Sequence, residues 1–228
     1  METSLHRELK QRYGGDNAQL EVPCGNYRID AVVDDVLVEI QHGSLAAIRD
    51  KIRTLLKMKH SVLLVKPLIE RKRLIKRAKK GGAVVDRRLS PKRGSLLDLF
   101  DELVYFGGVF PHQRLTLEVV MVEVEEWRYP GHGRRRRRRK GNFVVEDRCL
   151  VAIGQSLRLQ TRADLWAMMP KRLPTPFHTG HLARRLGVER WVAQKIAYCL
   201  RETGTVRQVG KQGNTLLYQP SCRENTAA

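Results

Sequence analysis

The spacing of apolar residues changes along the first 65 residues from a helical period to short runs typical of strands. Leu5, Leu9 and Tyr13 recur every four residues and predict one helix. Three short apolar stretches then predict strands, and a second helix and a wholly apolar strand follow. This order predicts an α/β domain with a mixed sheet. The predicted elements are a helix over Ser4–Tyr13, strands over Gln19–Val22, Tyr27–Val33 and Val36–Gln41, a helix with Ser44 as its N-cap, and a strand over Ser61–Val65.

The middle of the chain alternates basic and apolar segments. We predict a basic helix over Lys66–Lys80, where eight Lys or Arg residues accompany the single acid Glu70. Seven consecutive bases run from Arg134 to Lys140 beside glycines, so residues 131–141 are predicted to form a loop or hairpin tip. The remaining predicted elements are a helix over Leu96–Tyr105 and strands over Leu115–Trp127, Phe143–Val145 and Cys149–Ile153.

Residues 161–220 carry helix signals and end on a hairpin pattern. Thr161 and Asp164 form a predicted capping box that opens a short helix. Gly187 separates two further predicted helices, and Gly204 ends the second. The two helices are His178–Leu186 and Glu189–Thr203, and the hairpin strands are Thr205–Val209 and Thr215–Gln219.

Two carboxylates come together if Asp34-Asp35 is the two-residue turn of a hairpin. The pairing then places Asp30 opposite Glu39, with Gln41 two residues further along the same face. Opposed carboxylates repel, so a proton, a nearby base or a cation must relieve the repulsion. Oxygen ligands at this spacing suit Mg²⁺ or Mn²⁺, which lowers the pKa of a bound water. The alternative is a solvated hairpin whose acids pair with Arg28 or with the next helix.

Asp30 on one strand and Glu39-Ile40-Gln41 on the next resemble the PD-(D/E)xK nuclease superfamily, over residues 4–65. The resemblance implies a restriction-endonuclease-like αβββαβ core. It also implies that Asp30 and Glu39 hold Mg²⁺, joined by a glutamate of the first helix, here Glu8.

Gln41 stands where that superfamily usually has a lysine. It would orient a water molecule without supplying positive charge. A base that has moved to the following helix, Lys51 or Arg49, would replace the lysine, and His42 lies beside the motif. Without such a base the domain would only bind DNA.

Charge is distributed unevenly along the chain, whose formal net charge is +19. Residues 1–65 hold nine bases and nine acids, residues 66–140 hold 21 and nine, and residues 141–228 hold 13 and six. A surplus this large is typical of proteins that bind nucleic acid, whereas an anionic membrane surface or an acidic protein is the alternative partner.

The basic segments predict contacts to phosphates irrespective of base sequence, since no aromatic residues are interleaved with the bases. A solvated face or a targeting signal is the alternative. The candidate contacts are Lys72, Lys76, Arg134, Arg135 and Arg136.

The four cysteines show no C-x-x-C spacing, which favours reduced thiols and a cytoplasmic protein, associated with the nucleoid in a prokaryote. No apolar run approaches about 18 residues, so no membrane span is expected.

Two helices, a tight turn and a glycine-rich hairpin resemble a winged helix-turn-helix over residues 160–220. The resemblance implies that the second helix enters the DNA major groove, where Arg190 and Gln194 reach base edges and Tyr198 lies on the same face. Lys211 on the hairpin would contact phosphate or the minor groove. A winged helix used for protein contacts or dimerisation is the alternative.

The domain organisation follows from both resemblances. Residues 1–160 are predicted to form the nuclease-like domain, residues 161–220 a small α+β winged-helix domain, and residues 221–228 a flexible tail. We expect a Mg²⁺-dependent DNA endonuclease that takes double-stranded or branched DNA, with a homodimer left open. A catalytically inactive DNA-binding or regulatory protein is the first alternative, and an RNA-associated basic protein is the second.

Overall fold

A computed structural model describes residues 2–15, 18–131 and 143–221. Most elements form where the residue pattern predicts them. The helices are α1 (Ser4–Gly14), α2 (Arg49–Lys57), α3 (Leu99–Leu103), α4 (Arg162–Ala167), α5 (Thr179–Leu186) and α6 (Arg190–Glu202), and 3₁₀ turns over Leu45–Ile48 and Leu96–Asp98 precede α2 and α3. The strands are β1 (Gln19–Cys24), β2 (Tyr27–Val33), β3 (Val36–Ile40), β4 (Ser61–Arg77), β5 (Val84–Leu89), β6 (Leu115–Pro130), β7 (Phe143–Leu159), β8 (Val206–Gln212) and β9 (Thr215–Pro220).

Seven strands form one mixed sheet, which confirms the predicted α/β class. Its order is β1-β2-β3-β4-β6-β7, and β5 pairs with β4 beside this path. The pairs β1–β2, β2–β3 and β4–β5 are antiparallel. A separate antiparallel pair, β8–β9, belongs to the C-terminal segment.

The turn between β2 and β3 has the geometry that its two aspartates predict. Asp34 and Asp35 have φ of 46° and 63°, a left-handed conformation that Asp tolerates better than most residues and that two-residue hairpins require. The register is the predicted one, and it determines which residues of β2 and β3 lie side by side. Its paired residues are Ala31 with Val38, Val32 with Leu37, and Val33 with Val36.

The basic helix predicted over Lys66–Lys80 is wrong, because β4 continues through this segment to Arg77. Its bases meet acids of the neighbouring strand β6, which lie about fifty residues away in sequence. The cross-strand ion pairs are Arg71–Glu123 at 3.8 Å, Lys72–Glu126 at 3.1 Å and Arg73–Glu125 at 3.4 Å. Opposite charges facing one another on adjacent strands stabilise a sheet, whereas a helix would leave these bases without them.

The two strands predicted over Phe143–Val145 and Cys149–Ile153 form one continuous strand, β7. Residues 132–142 and 222–228, which include Arg134, Arg135 and Arg136 and nearly all of the predicted tail, lie outside the described residues. None of the helices in the described ranges is long and apolar enough to cross a membrane.

The chain divides into two compact units whose boundaries differ from the predicted division at residue 160. Unit 1 contains Met1–His42, Val65–Leu96 and Val119–Leu157. Unit 2 contains Gly43–Leu64, Leu97–Glu118 and Arg158–Ala228. The C-terminal helices therefore share a compact unit with α2 and α3.

Unit 1 is built on the packing of α1 against β2 and β3. Leu5 and Leu9 of α1 are 1% and 0% exposed, as their spacing predicts, and Ile29 and Ala31 of β2 are also fully buried. Burying an aliphatic side chain contributes about 1.5–3 kcal/mol, so this stripe determines which side of α1 faces the sheet.

Unit 2 contains the C-terminal arrangement of α4, α5, α6 and the β8–β9 hairpin. Thr161 and Asp164 form the predicted capping box, and Gly187 ends α5 in the left-handed conformation. Phe177 exchanges two backbone hydrogen bonds of 2.8 and 2.9 Å with Tyr218 of β9. This isolated bridge precedes α5, so the described order is helix, bridge, two helices and hairpin.

Candidate functional site

Asp30 lies just beyond the last paired residues of β2 and β3, and its carboxylate is held from two sides. Its Oδ1 lies 3.1 Å from His6 Nε2 on α1. Its Oδ2 accepts a 2.8 Å hydrogen bond from the backbone N–H of Ile40 on β3. The Asp30 side chain is 16% exposed, so this carboxylate is positioned by the fold and remains partly accessible.

Glu39 and Lys66 are buried charges of opposite sign on neighbouring strands. Glu39 of β3 is 5% exposed and Lys66 of β4 is 2% exposed. The backbone N–H of Gln41 donates a 2.9 Å hydrogen bond to the carbonyl of Val65, the residue before Lys66. Charged groups are rarely this buried unless they are compensated. The backbone pairing of Gln41 with Val65 places Lys66 next to the end of β3, where Gln41 itself supplies no charge.

Two histidines in unit 1 have pKa values shifted in opposite directions. The hydrogen bond to Asp30 raises the pKa of His6, although burial opposes the shift. Burial lowers the pKa of His42, and the positive charges of His6, Arg148 and Lys66 lower it further. The two rings meet edge to face with centroids 6.0 Å apart. His42 Nδ1 is buried and has no hydrogen-bond partner among residues 2–15, 18–131 and 143–221.

Arg148 extends this charged region onto β7. Its Nε lies 3.1 Å from Glu126 Oε2, which also lies 3.1 Å from Lys72 Nζ. Glu126 is 3% exposed, so both cations are held around a buried carboxylate. Lys72 is therefore engaged within the sheet, while Lys76 on the same strand is exposed.

The structure does not bring Glu8 to Asp30. Glu8 and His6 are two residues apart on α1 and therefore point about 200° apart around the helix axis. His6 meets Asp30, whereas Glu8 is exposed. Burial raises the pKa of the Cys149 thiol on β7, and the negative charges of Asp147 and Glu8 raise it further. No cluster of three or more His, Cys, Asp or Glu side chains suited to a metal ion occurs among the described residues.

The remaining candidates for a displaced base or a neutralising partner have other contacts. Arg49 pairs with Asp50 of α2 at 3.4 Å, and Arg28 pairs with Glu21 of β1 at 2.5 Å. The residue patterns missed His6, which borders the apolar stripe of α1, and Lys66, which follows the apolar run of β4. The strand pairing of Gln41 with Val65 identifies Lys66.

The Asp30–Glu39 pair fits Mg²⁺ in its chemistry. Mg²⁺ usually takes one or two carboxylates and fills the remaining positions with water and phosphate oxygens. His6 lies 3.1 Å from Asp30, so a metal ion at this carboxylate would require the imidazole to be neutral or displaced.

A second candidate surface is the outer face of α6 together with the β8–β9 hairpin. The predicted DNA-contacting residues Arg190, Gln194, Tyr198 and Lys211 are all exposed there. Their helix is held by its opposite face, where Ile196, Cys199 and Leu200 are each 0% exposed.

Comparison with known proteins gives a family and one relative. The model of a family described as "Domain of unknown function (DUF8091)" matches residues 3–160. A protein of Treponema pallidum (strain Nichols) described as "Uncharacterized protein" is 29% identical over 220 residues, which cover 96% of this chain and 85% of that one. No solved structure matches the chain.

Proposed function

We propose that this protein, which belongs to the DUF8091 family, is a DNA-binding endonuclease that hydrolyses phosphodiester bonds with Mg²⁺ or Mn²⁺. The observation that supports this function best is the register of β2 and β3, whose continuation past Ala31 and Val38 would bring Asp30 opposite Glu39 and near Gln41, with the buried Lys66 on the adjoining strand. On this proposal residues 4–65 form a restriction-endonuclease-like core.

In the proposed site, two acids, an amide and a base have separate roles. Asp30 and Glu39 would hold the metal ion, which supplies charge neutralisation for the phosphate and lowers the pKa of an attacking water. Gln41 would hydrogen-bond and orient that water. Lys66 would provide the positive charge that the superfamily lysine supplies and that Gln41 lacks. The developing negative charge of the phosphate is stabilised most where such groups are preorganised and shielded from solvent.

DNA would be held chiefly by the basic residues. The net charge of +19 favours binding to DNA phosphates. Each phosphate that a lysine or arginine neutralises releases counterions, and this release dominates nonspecific affinity. The segment from α4 to β9 would act as a winged helix, with Arg190 and Gln194 reaching base edges and Lys211 reaching phosphate. Arg134, Arg135 and Arg136 would add phosphate contacts. Double-stranded and branched DNA are the proposed ligands, and a homodimer is compatible with this assignment.

Cleavage assays with matched variants test this proposal. Plasmid, single-stranded and branched DNA are incubated with the protein in EDTA, Mg²⁺ or Mn²⁺. We expect metal-dependent cleavage that Asp30→Ala and Glu39→Ala abolish. Glu8→Ala is the matched control, because Glu8 is an exposed carboxylate that points away from the pair, and it should cleave like the wild type. Absence of cleavage on every substrate, or cleavage unaffected by both substitutions, contradicts the assignment.

A catalytically inactive DNA-binding protein is the second candidate, and two observations favour it. His6 already meets the Asp30 carboxylate at 3.1 Å, and Glu39 is only 5% exposed. A protein of this kind would bind DNA in EDTA and would cleave no substrate with either metal ion.

A further inference from the structure

The outer face of α6 exposes two aromatic side chains. Trp191 is 61% exposed and Tyr198 is 41% exposed. They are seven residues apart, so they lie on the same side of the helix about 10 Å from each other along its axis. Large aromatic residues usually bury most of their surface, and an exposed tryptophan is informative for that reason.

Each ring is accompanied by a cation. Lys195 Nζ lies 4.7 Å from the centroid of the Trp191 ring, and the Arg201 guanidinium carbon lies 5.6 Å from the centroid of Tyr198. Lys195 also forms an ion pair with Asp101 on α3. A cation beside an exposed aromatic ring makes a favourable cation–π contact.

We propose that this aromatic face of α6, formed by Trp191 and Tyr198, stacks on the unpaired bases of branched or single-stranded DNA, in addition to the duplex contacts proposed for Arg190 and Gln194. The inference rests on the proposed DNA-binding function and specifies its ligand. Inside a duplex the base faces are covered by their neighbours, so exposed rings have few stacking partners there. Unpaired bases present those faces, and stacking on an aromatic ring is tolerant of base sequence.

Charge favours nucleic acid over a protein as the partner of this face. Arg190 and Arg201 are exposed on the same helix, and Arg184 and Arg185 are exposed in the last turn of α5. Protein interfaces are enriched in aromatic residues but depleted of charge at their core. A surface on which exposed rings are interspersed with cations matches a ligand that offers both bases and phosphates.

The test compares single-stranded and duplex binding of single-residue variants. Fluorescence anisotropy of labelled (dT)₂₀ and of a 20-base-pair duplex is measured in EDTA, so that no strand is cut. Trp191→Ala is expected to weaken (dT)₂₀ binding about fivefold to 150-fold, the range of one lost aromatic–base stack, and duplex binding less than threefold. Tyr198→Ala should act in the same direction, and Trp191→Phe, which keeps a ring, should lose much less.

Tyr105→Ala is the matched control, because Tyr105 is 59% exposed in the same compact unit but lies outside α6. It should bind both DNAs like the wild type. The melting temperature of each variant is recorded to show that it is folded.

Several results overturn the inference while leaving DNA binding intact. These are unchanged (dT)₂₀ affinity of Trp191→Ala, an equal loss on (dT)₂₀ and duplex, or an equal loss in Tyr105→Ala. A change in oligomeric state with no change in DNA affinity would assign the face to a protein partner. A wild-type protein that binds neither DNA would overturn the proposed function itself.

Discussion

The ion pair between His6 and Asp30 predicts that the stability of the protein depends on pH. The raised pKa of the histidine determines the direction of that dependence. Both side chains are mostly buried, at 17% and 16% exposure, and their atoms lie 3.1 Å apart. The His6→Gln variant keeps a neutral hydrogen-bond donor and removes the titratable charge. Because the pKa of His6 rises above its ordinary 6.5 on folding, its stabilising contribution is complete below pH 6.5 and is lost as pH rises through the raised pKa.

The expected magnitude follows from the difference between a charged and a neutral hydrogen bond. Hydrogen bonds to charged groups contribute about 1.5–3 kcal/mol and neutral ones about 0.5–1.5 kcal/mol. The variant should therefore be less stable than the wild type by about 1 kcal/mol at pH 6. At pH 9, where the imidazole is neutral, the two should differ by only a few tenths of a kcal/mol.

Urea unfolding of the metal-free protein in EDTA, at pH 6 and pH 9, measures this difference. Asp30→Asn and the double variant complete a double-mutant cycle, which isolates the His6–Asp30 coupling from the other effects of each change. The coupling should be large at pH 6 and small at pH 9. An equal loss of stability at both pH values, or a greater loss at pH 9, refutes this interpretation of the pair.

Four further predictions concern the site and the C-terminal segment. Lys66→Met should lower the rate of DNA cleavage about 100-fold, and its melting temperature is measured to show that the variant is folded. An unchanged rate would show that Lys66 has no role in the proposed site. His178 Nδ1 accepts a 3.0 Å hydrogen bond from the backbone N–H of Gly180, and burial lowers the pKa of His178. The free energy of unfolding should therefore fall as pH drops below 6.5. In urea unfolding, His178→Asp, which keeps a hydrogen-bond acceptor, should abolish that fall. Gly187→Ala places a Cβ at φ of 65° and should cost about 1 kcal/mol by the same assay, whereas no loss would contradict the left-handed cap. Arg190→Ala combined with Gln194→Ala should weaken duplex binding about tenfold or more in anisotropy titrations, and unchanged binding would favour a protein-contact role for α6.

Local chemistry was sufficient to predict the elements that depend on neighbouring residues. The Asp34-Asp35 turn predicted the register of β2 and β3, because a two-residue hairpin permits one pairing. The capping box of Thr161 and Asp164 and the glycine cap at Gly187 also form as predicted. Each of these features is decided within a few residues of chain.

Elements that depend on distant partners were not predictable in the same way. The pattern of bases over Lys66–Lys80 favours a helix when read alone, because the acidic partners Glu123, Glu125 and Glu126 lie some fifty residues further along. Once β6 pairs with β4, the acids neutralise the bases, and an extended strand is the stable form.

The site was predicted in part for the same reason. Asp30 and Glu39 belong to one hairpin, whose predicted register forms up to Ala31 and Val38. Glu8 and His6 flank the same apolar stripe, and the burial of Leu5 and Leu9 determines which of them meets Asp30. Lys66 comes next to the end of β3 through the pairing of β3 with β4, which no local pattern specifies.

The central claim is that Asp30 and Glu39 form a hydrolytic site, and a single-turnover cleavage rate tests it most directly. A labelled DNA is mixed with excess wild-type or Glu39→Gln protein in Mg²⁺, and DNA affinity is measured on the same preparations in EDTA. Glu39→Gln keeps the shape of the side chain and removes its charge. We predict unchanged affinity and a rate reduced about 100-fold or more, because the lost group would act only in the chemical step. Equal rates for the two proteins, or a wild type that binds DNA and never cleaves it, would contradict the claim.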